Sequence, residues 1–84
     1  MTSPRHGPPP KDILQRFNTY HRNNLAWGSL HIVLEGGNVK DSDVNFCIDY
    51  AVSVNDHEGA ELARILLMLS KTQRLKIGYG RYKL

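Results

Sequence analysis

Residues 44 to 54 read Val-Asn-Phe-Cys-Ile-Asp-Tyr-Ala-Val-Ser-Val, and the period at which they are apolar decides the fold class. In steps of two they give Val44, Phe46, Ile48, Tyr50, Val52 and Val54, an unbroken β-branched and aromatic row suited to a strand. In steps of three and four they give Val44, Cys47, Ile48 and Ala51, one face of a helix. The flanking residues favour the helix. Asp41 and Ser42 suit an N-cap, and Asp43 in the first turn suits the helix dipole. Downstream, Asn55-Asp56 offers a break with fresh capping chemistry. A helical pattern follows, with Leu62, Ile65, Leu66 and Leu69 on one face and Ala60 and Ala63 allowing close approach. Helix, short break and helix form an antiparallel pair, so the flanks predict a helix over 42–54.

Upstream, a helix is predicted from Lys11. Pro10 suits its start, Ile13, Leu14, Phe17, Tyr20 and His21 follow helical spacing, and the asparagines near Asn23 end it. Over 25–38, Ala26, Trp27, Leu30, Val33 and Leu34 share one helical face before a Gly36-Gly37-Asn38 stop. Residues 1–10, with four prolines and almost no apolar side chains, read as a disordered tail, Pro8-Pro9-Pro10 favouring a polyproline conformation. Gly78 and Gly80 break the last stretch into a tail that docks in part through Leu75 and Ile77.

The predicted fold class is therefore all-α: a small bundle of three or four short helices over 11–70, between a disordered N-terminus (1–10) and a basic tail (71–84). The alternative is α+β. There, 29–35 and 43–54 pair as a hairpin packed by the Leu62 helix, with a third strand from Leu75 to Tyr82.

A chain of 84 residues makes one domain with a modest core. Its one cysteine permits no internal disulfide and fits a reducing compartment. No apolar run reaches the length of a membrane span, and the first ten residues lack the hydrophobic stretch of a signal peptide. A cytoplasmic location and no membrane partner are expected.

The side chains give little support to catalysis or cofactor chemistry. His6, His21, His31, Cys47 and His57 show no close ligand pair, so no metal is expected. Cys47 falls on the apolar helical face, where inert thiols sit. The carboxylate pairs Asp41/Asp43 and Glu58/Glu61 stand at helix starts, where caps and dipoles account for them. No phosphate loop or dinucleotide fingerprint is present. The expectation is a non-enzyme with no catalytic, cofactor-binding or metal residues.

Charge is the remaining large-scale signal. Arg5, Lys11, Arg16 and Arg22 against Asp12 make the first 23 residues basic. Residues 24–70 are acidic, with Lys40 and Arg64 against Glu35, Asp41, Asp43, Asp49, Asp56, Glu58 and Glu61. The last 14 residues carry Lys71, Arg74, Lys76, Arg81 and Lys83 and no acid, interleaved with Tyr79 and Tyr82. These seven residues are the expected contact surface. The preferred function is a small regulatory or accessory protein, an adaptor or inhibitor that engages a protein with an acidic surface. The alternative is a nucleic-acid-binding accessory protein using the same residues, phosphates meeting the cations and unpaired bases the tyrosines. A homodimer would also cover the broad apolar faces of so small a domain.

Overall fold

The computed structural model describes residues 9–82. The expected Pro-rich tail falls almost entirely outside them, as does Lys83. Four α-helices follow in chain order: α1 (Lys11–Asn23), α2 (Asp41–Ser53), α3 (His57–Leu67) and α4 (Lys71–Gly78). Between α1 and α2 the chain makes a tight 3-10 stretch (Leu25–Leu30) and one wide π-type turn (His31–Glu35). The all-α reading holds. The helical turns of the linker exceed the expected three or four helices, and among the described residues there is no strand, so the α+β alternative fails.

α1 starts where Pro10, as N-cap, offers its carbonyl to the amides of Ile13 and Leu14, both at 3.1 Å. Its buried residues are Leu14, Phe17 and Tyr20, and the Asn24 side chain closes the far end by donating to the Tyr20 carbonyl at 2.9 Å. The linker departs from the single helix its spacing predicts. Ala26, Trp27 and Gly28 all have positive φ (51°, 66° and 48°), a conformation that costs side-chain-bearing residues free energy. The turn lays Trp27 back on α1, its ring 4.4 Å from that of His21. At Gly28 a Cβ would lie 2.7 Å from the Tyr20 hydroxyl, so glycine is required there by space as well as by φ.

α2 begins one residue earlier than the sequence suggests. Lys40, extended, is the N-cap, and the expected caps Asp41 and Ser42 are already helical. Val44, Cys47 and Ala51 are its buried side. The chain reverses at Val54–Asp56, where Asn55 takes φ 61° and the Asp56 side chain caps α3 by accepting from the Gly59 amide at 3.0 Å. α2 and α3 make the most extensive helix–helix contact among the described residues. Ala51 and Ala63 are completely buried and Ala60 nearly so, which is what small residues at a close crossing allow. Phe17, Leu30, Val33, Leu34, Val44, Cys47, Leu62 and Leu66 fill the centre. Full burial of each large aliphatic or aromatic side chain among them contributes about 1.5–3 kcal/mol against leaving it exposed.

Residues 71–82, part of the segment expected as a tail, instead continue the fold. Ser70 opens α4 with a reciprocal capping box: its hydroxyl accepts from the Gln73 amide at 3.1 Å, and the Gln73 side chain accepts from the Ser70 amide at 2.9 Å. Gln73, Arg74 and Ile77 are its buried face. Gly78 lies so close to the π-type turn that a Cβ there would collide with the Leu34 carbonyl oxygen.

Candidate functional site

The C-terminal segment meets α1 and the linker around a cleft of about 250 Å³. It is lined by Leu14, Phe17, Asn18, His21, Trp27, Ile77, Gly78, Tyr79, Gly80 and Tyr82. Half of these residues carry aromatic rings, drawn from three parts of the chain. α1 supplies Phe17 and His21 one turn apart. The left-handed turn supplies Trp27, and the chain leaving α4 supplies Tyr79 and Tyr82. The Gly80 amide donates to the Ile77 carbonyl at 3.1 Å, and the Arg81 amide donates to the Lys76 carbonyl at 2.8 Å, which closes the end of α4 in a compact turn.

Of the expected contact residues, Tyr79, Tyr82, Lys76 and Arg81 belong to this region. Tyr79 is 61% exposed. Tyr82 is half-buried, and its hydroxyl is buried without a hydrogen-bond partner. Burial also pushes that phenol above its ordinary pKa. The Lys76 ammonium lies 5.9 Å from the centre of the Tyr82 ring, within cation–π range, and Arg81 is exposed. Lys71 is exposed at the opposite end of α4.

Arg74 corrects the sequence reading. Its side chain is 3% exposed and fully engaged. Nε donates to the Leu66 carbonyl at 2.7 Å, Nη1 to the Val39 carbonyl, and Nη2 to the Leu67 carbonyl at 3.4 Å. Nη2 also pairs with the Asp41 carboxylate at 2.9 Å. The guanidinium thus satisfies carbonyls at the C-terminal end of α3 and ties them to the segment entering α2, so it is closed to a partner.

A second polar centre lies where α1, the linker and α3 converge. Asp56 Oδ2 accepts from the Tyr20 hydroxyl at 2.5 Å and from the Ser29 hydroxyl at 2.7 Å, while Oδ1 accepts from the Gly59 amide. The Tyr20 oxygen accepts from the Ser29 amide at 3.0 Å. Burial pushes the Tyr20 phenol up to about 12, reinforced by the bond to Asp56. For Asp56, burial raises the pKa, but the bonds from Tyr20, Ser29 and Gly59 more than offset it and hold the carboxyl below its ordinary value. These bonds tie the left-handed turn, through Ser29 and Tyr20, to the cap of α3. Sequence reasoning found Asp56 as a cap but missed Tyr20 and Ser29, which only the turn at 26–28 brings to it.

The remaining candidates are structural in character. Cys47 is buried, and burial pushes its thiol up, away from the reactive thiolate. His31 Nδ1 lies 3.0 Å from the Gly28 carbonyl. Among the described residues no three His, Cys, Asp or Glu side chains converge as metal ligands, and no helix is long and apolar enough to cross a membrane. Comparison with protein-family models, with curated proteins and with solved structures found no match for this chain.

Proposed function

We propose that this protein is a small non-enzymatic accessory protein that binds another protein through the aromatic cleft, in the manner of an adaptor or inhibitor. The observation that carries this reading is the cleft itself, with Tyr79 exposed at its edge, Tyr82 in its wall and the exposed cations Lys76 and Arg81 nearby in the same segment. Its volume lies below the range of about 300–1,000 Å³ typical of small-molecule and cofactor sites. It suits one or two inserted side chains of a partner. Tyrosine and tryptophan anchor such contacts because they bring large area at little entropic cost. An acidic partner surface would complement Lys76 and Arg81. The lone buried thiol of Cys47 fits a reducing compartment such as the cytoplasm.

Nucleic acid is the second reading, favoured by the exposed Tyr79 ring next to two cations. Burial of Arg74 weakens it, because one of the expected phosphate contacts is spent inside the fold. Trp27, the sole tryptophan, lines the cleft and reports its occupancy by fluorescence. With a partner recovered by co-purification from source cells, titration should shift this emission, and Tyr79→Ser with Arg81→Ser should weaken binding about tenfold or more, as loss of anchors does. Emission that responds instead to an oligothymidylate, with affinity falling steeply in salt, would transfer the cleft to nucleic acid.

A further inference from the structure

α2 is apolar on two sides, and only one is covered. Val44, Cys47 and Ala51 face the core. Phe46 and Tyr50 on its outer side, and Val54 at its C-cap, recur every four residues and remain 55%, 45% and 50% exposed. Residues spaced by four lie one above the next, so they form a single stripe about 12 Å long. A helix apolar all round is normally buried, and exposed contiguous apolar surface marks contact sites. None of the residues lining the aromatic cleft belongs to α2, so this face is separate from the proposed binding site.

The charge around the stripe identifies what fits. Between Asp41 and Ser53 the helix carries three carboxylates and no cation. Asp41 is paired with Arg74. Asp43 lies one turn before Phe46 and Asp49 one turn before Ser53, and neither takes part in an ion pair among the described residues. From this pattern we infer that the outer face of α2 docks an amphipathic helix of a protein partner, one whose apolar stripe is flanked by lysine or arginine. An exposed row at i, i+4 and i+8 matches the i, i+3/i+4, i+7 anchors of such a helix, and the free carboxylates select cationic flanks. A second copy of the chain, applying the same face, would bring Asp43 and Asp49 against like charges with no cation from α2 to relieve them. Nucleic acid is repelled for the same reason.

The full chain, labelled with ¹⁵N, should be titrated with two synthetic helical peptides of about 18 residues, five turns, one of leucine and lysine and one of leucine and glutamate. The leucine–lysine peptide should shift the amides of residues 43–54 and leave those of the cleft in place. The double variant Phe46→Ser, Tyr50→Ser should bind it about tenfold more weakly. Asp43→Lys with Asp49→Lys, which alters only charge, should reverse the preference toward the glutamate peptide. Equal binding of both peptides, shifts centred on Tyr79 and Trp27, or affinities unchanged in either variant would overturn the inference. So would concentration-dependent sedimentation of the chain alone that disappears in the Phe46→Ser, Tyr50→Ser variant, which would assign the face to a second copy.

Discussion

Arg74 and Lys76 stand two residues apart with the same formal charge, yet one is enclosed and the other faces solvent. Their difference is one of helical register. Arg74 shares a face with Ile77, while Lys76 points away. The signal that could have shown this was Ser70-x-x-Gln73, a capping box that marks Lys71 onward as helix, and two glycines obscured it. Replacing Arg74 by methionine leaves the carbonyls of Leu66 and Val39 without their donor, and unfolding in urea should show a loss of about 2–3 kcal/mol. Asp41→Asn should cost less than about 1 kcal/mol, because that carboxylate is mostly exposed and water replaces the ion pair. The Tyr20–Asp56 contact carries a pH signature with two limbs. Asp56 has a folded pKa below its unfolded one, so its contribution is present above the ordinary carboxylate range and is lost as pH falls through it. Tyr20 has a folded pKa raised to about 12, so its contribution is present below its ordinary value near 10 and is lost as pH rises toward 12. Urea midpoints across pH should fall at both ends, and Tyr20→Phe should reduce both limbs while lowering stability at neutral pH by about 2 kcal/mol.

Among the elements, α2 shows why one stretch supported two periods. A strand-like row in steps of two appears when a helix carries apolar residues on its outer side as well as its inner one. Phe46, Tyr50, Val52 and Val54 produced the row, and all are exposed. Caps and the following break therefore decided its structure correctly, where periodicity alone could not. α1 and α3 were legible for the ordinary reason that each presents one apolar face and a clear start. The linker was not, because Ala26 and Trp27, residue types that rarely do so, adopt positive φ alongside Gly28. The turn is held by tertiary contacts, Trp27 on His21 and Ser29 on Tyr20 and Asp56, which no local pattern encodes. Ala26 is exposed, so Ala26→Gly relieves its left-handed backbone without loss of packing. A small gain of up to about 1 kcal/mol is expected in thermal unfolding, the relief exceeding the added freedom of the unfolded chain. Gly78→Ala should act in the opposite sense. Crowding against the Leu34 carbonyl should displace α4 and cost about 1–3 kcal/mol.

At the scale of the whole molecule, the fold separates the charges that the sequence places in blocks. The acidic middle becomes the start and outer side of α2 and the start of α3, where Glu58 and Glu61 hold Arg16. The basic end becomes α4 and the turn after it, beside the aromatic cleft. The folded chain presents two chemically unlike exposed surfaces, while the Cys47 thiol is buried in the core, Asp41 pairs with Arg74, and Glu58 and Glu61 pair with Arg16. Part of this was legible: α1, α2 and α3, and the acidic and basic blocks. The cleft was not, since its walls come from residues 14–27 and 77–82, which only the folded chain joins. Photocrosslinking in source cells, with a benzophenone amino acid in place of Tyr79 and, as a control, of the exposed Met68, tests the central claim most directly. A discrete adduct with one protein at position 79, absent at 68, is the expected result. A nuclease-sensitive adduct, or the same products at both positions, would contradict it.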